Sequence, residues 1–188
     1  LDADGCNLPG GGAALADLAR IDCTGLDPRV TRAPIVLASD VTNPLTGPDG
    51  ATAVFGPQKG ATPAMIEQLD RALGHYAEVI RRDTGRSVDA IPGAGAAGGL
   101  GTGFLAFTDA TMRSGIDLVI ETVGLKERSV GADYCFTGEG CVDGQTQYGK
   151  TPMGAARAVH EAAPACRVIA LAGSIGEDAE QLNALGFA

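Results

Sequence analysis

Tryptophan is absent from this chain, aromatic residues make up 4% of it, and lysine occurs three times against eleven arginines. Without large rings the core must be filled by Ala, Val, Ile and Leu, and the 28 glycines point to tight turns and small-residue packing. A long apolar run is also missing. The longest, Val168 to Ala172, falls far short of the ~20 residues that span a bilayer. No segment joins a basic start to an apolar stretch in the manner of an export signal. A net charge of -9 and a pI near 4.6 leave no basic footprint for broad nucleic-acid binding, and they disfavour an anionic membrane surface.

What is present is a globular composition: 188 residues, 45% hydrophobic and 20% charged, enough for one or two domains with a core that needs no staple. Cys6, Cys23, Cys135, Cys141 and Cys166 are odd in number and irregular in spacing, so they read as reduced thiols and place the protein in the cytoplasm. Leu1 to Gly5 reads as the tail of a strand entering a turn. Leu182 to Ala188 reads as a helix end followed by a new strand. An internal fragment is therefore expected, its parallel sheet completed by other sequence.

Along the chain, Gly10 to Arg20 predicts a glycine run leading into an Ala/Leu helix, and Leu26-Asp27-Pro28 ends the next segment. Ala33 to Ser39 predicts a buried strand, and Asp40 to Gly60 a long loop of the kind that is usually functional. Thr62 caps a helix with Pro63 in its first turn and Met65, Ile66, Leu69, Leu73, Tyr76, Ala77 and Ile80 on its apolar face. Pro92 to Gly103 is a glycine-rich turn feeding a helix through Phe107, and Ile116 to Val123 is a further apolar segment. Beyond Val130 the pattern becomes strand, loop, helix. Ala132 to Thr137 is a strand, Gly138 to Lys150 a polar loop and Thr151 to Ala163 a helix. Arg167 to Ala172 is the next strand, Gly173 to Gly176 a turn and Asp178 to Leu185 a helix. That alternation predicts an α/β fold with a parallel layer and a domain boundary near Val130.

Two of the three lysines, Lys59 and Lys150, sit in glycine-flanked loops, where a compact ammonium suits a phosphate or a carboxylate; the alternative is a solvated loop lysine. Gly144 to Thr151 matches the phosphate-loop spacing, but Gly138 to Asp143 separates it from the preceding strand. An anion at the start of the following helix is the weaker expectation. Gly93 to Gly98 matches the dinucleotide spacing behind a short segment that ends in Pro92, so close packing at a helix start is the simpler account of it. Asp40, Glu139 and Asp143 follow strands, where α/β sheets bind ligands and where Mg²⁺ finds oxygen donors; for Asp40 and Asp143 turn or cap duty is the alternative. Asn43, Gln58 and Gln145 can orient a hydroxyl or carboxylate, or bond their own loops. His75 and His160 read as packing or surface residues, and Cys135 as core.

Taken together, four motifs strongly resemble bacterial class I glycerate kinase. They are Asp40-Val41-Thr42-Asn43-Pro44-Leu45, Phe55 to Ala61 (FGPQKGA), Pro92 to Gly99 (PGAGAAGG), and Thr137-Gly138-Glu139-Gly140 with Asp143, Gln145-Thr146 and Gly149-Lys150. The resemblance implies ATP- and Mg²⁺-dependent phosphorylation of D-glycerate, usually at the 2-hydroxyl. It implies a two-domain α/β enzyme, with residues 1–130 the later part of an inserted substrate-side domain and 131–188 a returning piece of a Rossmann- or flavodoxin-like domain. On that map Asp40, Lys59, Asp143 and Lys150 are the catalytic candidates. Asn43, Gln58, Gln145, Gly95 and Gly98 contact substrate, and Glu139 and Asp143 hold the metal. A homodimer is compatible with it. Cys141 stands where the family commonly has Arg, and Tyr148 where a His is frequent. A non-catalytic nucleotide- or sugar-acid-binding fragment is the alternative, and a nicotinamide-dependent oxidoreductase through Gly93 to Gly98 a third reading.

Overall fold

The computed structural model describes residues 1–142, 151–179, 181–182 and 186–187, and divides into two compact units, Leu1–Met112 and Arg113–Ala188. In the first unit the expected helix after Gly10 is a 3-10 turn, Gly12–Asp17, with no side-chain cap and a left-handed Gly11 before it. Asp27 does not end a segment. Its carboxylate accepts the Arg29 N–H and starts α1 (Pro28–Arg32), with proline in the first turn where its missing donor costs nothing. The expected buried strand shrinks to β1 (Val36–Ala38), paired among the described residues with β2 (Thr111–Arg113), and its Val36 is 45% exposed.

The long loop after β1 is shorter than expected. α2 (Ala51–Phe55) and a 3-10 turn (Pro57–Lys59) occupy its second half, ended by left-handed Gly60. α3 (Pro63–Thr84) starts at the signal expected of it. The Thr62 hydroxyl accepts from the Met65 N–H, and Gly85 closes the helix at φ 73°. Ala72, Leu73, Val79 and Ile80 are its buried residues. α4 (Ala96–Phe107) is broken near its start, where Ala97, Gly98 and Gly99 all take left-handed conformations. Leu45, Leu73, Ile80, Val88 and Leu105 form the core of this unit, with Leu15, Ile21 and Tyr76 packed against them.

The second unit is the parallel layer that the alternating pattern predicts. After α5 (Gly115–Val123) and α6 (Leu125–Ser129), β3 (Tyr134–Val142) pairs in parallel with β4 (Arg167–Ile175) across α7 (Thr151–Ala162). Both strands outrun their expected ends. The register continues through Gly138 opposite Leu171 to Val142 opposite Ile175, so Gly138–Val142 and Gly173–Ile175 are strand, not loop and turn. These glycines serve close approach. A Cβ on Gly138 would lie 2.3 Å from the Leu171 carbonyl oxygen, and one on Gly173 would lie 2.9 Å from that of Gly140. Phe187 bridges Val168 in parallel on the strand. The helix expected over Asp178 to Leu185 falls partly outside the described residues.

The unit boundary lies ahead of Val130 because α5 and α6 pack on α7. Asp117 pairs with Arg157, Lys126 pairs with Glu161, and Gly154 admits Ile116 so closely that a Cβ there would meet Cγ1 at 2.4 Å. Val142, Ala156, Val159, Cys166 and Val168 form the second core. Among the described residues no helix is long and apolar enough to cross a membrane.

Candidate active site

In the first unit the segment after β1 is pinned at several points. Asn43 donates from Nδ2 to the Asp49 carbonyl at 2.8 Å, and the Leu45 N–H donates to the Asp89 carbonyl at 2.9 Å. Both carboxylate oxygens of Asp70, on α3, accept from the Gly47 N–H at 3.1 and 3.3 Å. Leu45 is wholly buried beneath this segment. Such tethers give a chain without regular hydrogen bonding a defined path.

The glycine-rich stretch before α4 leans on the same segment. The Gly95 N–H donates to the Asn43 carbonyl at 3.0 Å, and a Cβ on Gly95 would lie 2.3 Å from the Pro44 carbonyl oxygen. Thr102, fully buried, donates its hydroxyl to the Ala94 carbonyl and holds the turn from behind. No strand leads directly into Gly93; residues 85–92 are irregular or turn, so the dinucleotide spacing lacks its structural context.

Two cavities open beside this stretch. One, of about 230 Å³, is lined by Gly12, Ala51, Thr52, Phe55, Gly56, Lys59, Leu69, Leu73 and Gly98. The other, of about 480 Å³, is lined by Val36 to Val41 together with Ala96, Ala97, Leu100, Gly101, Phe104 and Met112. The fold thus brings Lys59 and Gly98 to one cavity and Asp40 to the other. Gln58, next to Lys59, is exposed and lines neither, and the same is true of buried Gly95. Lys126 is held by Glu161, whereas the Lys59 ammonium has no ion-pair or hydrogen-bond partner among the described residues. The sequence did not single out Thr52 or Asp70, and it offered Phe55 only within a motif and Leu69 only as a residue of the helix's apolar face. Only the placement of Thr52 between Gly50 and Gly56 could have hinted at it.

In the second unit Glu139 sits half-buried on β3, opposite Ala172, and has a partner. Cys141 is exposed on the same strand, opposite Ser174. Burial raises the thiol pKa of Cys135, which blunts its reactivity. Asp143, Gln145, Tyr148, Lys150 and the phosphate-loop match before Thr151 lie outside the described residues. Both histidines face backbone carbonyls, His75 that of Leu18 at 2.7 Å and His160 that of Cys166 at 3.1 Å. Among the described residues no group of three His, Cys, Asp or Glu side chains comes together to hold a metal by itself.

The chain matches the glycerate kinase family over residues 1–188. It is 49% identical over 170 residues to a glycerate kinase of Halalkalibacterium halodurans, a match covering 90% of this chain and 44% of that protein. Against a glycerate 2-kinase of Escherichia coli the identity is 45%, covering 94% of this chain and 46% of the relative. A crystal structure described as a candidate glycerate kinase 2 from Salmonella typhimurium LT2 superimposes with a TM-score of 0.80 at 44% identity, covering 94% of this chain and 49% of that one. The chain therefore spans about half the length of the curated relatives it matches. With a family match along its whole length, four motifs in order and a mixed α/β fold shared with a solved relative, the chain belongs to the glycerate kinase family.

Proposed function

We propose that the full-length protein carrying this chain transfers the γ-phosphoryl group of ATP to a hydroxyl of D-glycerate, giving 2-phosphoglycerate and ADP in organic acid phosphorylation. The observation that carries this reading is the unbroken family match over residues 1–188, with relatives named glycerate kinase and glycerate 2-kinase. The Lys59 ammonium, without a partner among the described residues and set on a small cavity, supports it, since phosphoryl transfer to an acid needs cations near both anionic partners.

The glycerate hydroxyl oxygen attacks the γ-phosphorus in line as the bond to the β,γ-bridging oxygen breaks, and the hydroxyl proton passes to a carboxylate, Asp40 or Asp143. Lys59 and Lys150 balance carboxylate or phosphate charge. Gln58, Gln145 and Gly98 contact the substrate. Asn43 and Gly95 act through each other: the Gly95 N–H bonds the Asn43 carbonyl, which keeps the turn against the segment after β1. Mg²⁺ is commonly held by one or two carboxylates plus phosphate oxygens, so Glu139 and Asp143 with the nucleotide form a donor set of the right chemistry. When bound, the ion offsets phosphate charge. Residues 1–130 belong on this reading to the inserted substrate-side domain and 131–188 to the returning Rossmann-like domain, in a cytoplasmic enzyme.

Incubating the full-length protein with MgATP and D-glycerate and following ³¹P NMR tests the proposal. A new phosphomonoester signal is expected, with proton coupling that places it at the 2-position. A folded, ATP-binding protein that yields no such signal overturns it.

A further inference from the structure

We infer that the 230 Å³ cavity of the first unit is the seat of the three-carbon hydroxy acid, with Lys59 holding its carboxylate and Thr52 one of its hydroxyls. The inference rests on the kinase reading for the identity of the acid, and on the cavity itself for its size and polarity. Pockets for drug-sized ligands run from about 300 to 1,000 Å³, so this one suits a smaller metabolite, whereas the 480 Å³ cavity at Asp40 falls within that range.

The polar groups are few and placed for a short acid. Thr52 is only 7% exposed, and among the described residues its hydroxyl has no hydrogen-bond partner. Fully buried polar groups in native proteins are almost always paired, and Thr52 belongs to the cavity wall. Among the described residues no fully sealed polar side-chain atom lacks a partner, so this hydroxyl still reaches open space. Thr52, Phe55 and Lys59 follow at three- and four-residue spacing along α2 and the 3-10 turn after it, which brings them to one side. Leu69 and Leu73, four apart on α3, complete an apolar wall with Phe55. A Cβ on Gly98 would meet nothing within 4 Å, so its backbone leaves the cavity unobstructed. An ammonium, a lone hydroxyl and three apolar side chains match a carboxylate, a hydroxyl and a short carbon chain. The same wall limits chain length, so Phe55 acts as a size filter.

The test is calorimetric titration of the full-length protein with D-glycerate, alone and with a non-hydrolysable ATP analogue, alongside ATP titration and the phosphorylation assay. Thr52→Val should weaken D-glycerate binding about tenfold and Lys59→Gln about tenfold to a hundredfold, the ordinary worth of a neutral and a charged hydrogen bond. ATP affinity should stay unchanged, and Thr52→Ser should restore binding to within about threefold. If Thr52→Val does not fold, Lys59→Gln, at an exposed position, decides alone. Variants that fold and bind D-glycerate like the parent overturn the inference, as does a parent that binds none under either condition. A parent that forms phosphoglycerate while the variants bind normally keeps the kinase reading and removes this site. A parent that forms none, while its variants lose D-glycerate affinity, does the reverse.

Discussion

The two units handle apolar surface differently. In the first, irregular segments wrap a helical core: Leu45 is wholly buried between helices, and Asp70, Asn43 and the Asp89 carbonyl hold its flanks. In the second, the parallel layer covers one face only. Val168 on β4 and Val159 on α7 are fully buried in one core, yet Phe136, Leu171 and Ile175 are 64%, 60% and 80% exposed. Parallel layers usually bury both faces, so the layer within this chain is one-sided. Apolar identity alone therefore does not locate a core; coverage by another element does.

The largest test of that contrast is Ile80→Ala in the first core, expected to cost about 2–5 kcal/mol through lost transfer energy and a residual cavity. Phe136→Ser on the bare face should change stability by no more than about 0.5 kcal/mol. Urea melts of the full-length protein compare them, and equal losses would mean that the bare face is covered in the complete molecule. Lys59→Gln should lower kcat/KM by about a hundredfold or more with an unchanged melting curve; near-normal kinetics would remove Lys59 from the machinery. Gly95→Ala should cost about 1–3 kcal/mol, because the 2.3 Å contact is with backbone that cannot rotate away. Gly140→Ala on β3, with nothing within 4 Å, should be tolerated better, and thermal melts would rank the two.

The smallest expected effect is a pH slope. Asp83 accepts from the Arg82 side chain and from the Ile21 N–H, and these bonds pull its carboxyl down to about 2. A carboxylate depressed in the folded state contributes stability above its unfolded pKa of about 3.9 and loses it as pH falls toward 2. Asp83→Asn should flatten the acid limb between those values. Urea midpoints across that range would show it, and an unchanged limb would mean that the tether to Ile21 does not contribute.

Much of this was legible in the chain itself. The Thr62-Pro63 start of α3 and its apolar spacing are signals that act within a few turns, so they survive any tertiary context. The β3-α7-β4 order was likewise visible, as was the family, through motifs short enough to be read directly. The strand ends were not legible. Gly138 and Gly173 look like turn residues in isolation, and only the neighbouring strand shows that they serve close approach. The candidate site was half legible. Lys59 and Asp40 stood out by residue type and glycine context, whereas Thr52, Leu69 and Asp70 look like ordinary helix residues.

By itself the sequence determined the α/β class, the family and the capped start of α3, because these rest on composition, motif order and contacts a few residues apart. Tertiary structure alone decided that Lys59 shares a cavity with Gly98, that Asp40 lines a different one, and that Asn43 is bound into its own segment. Those pairings join residues far apart in the chain, and their proximity is set by how buried Leu45, Leu73 and Ile80 pack, which no local signal encodes.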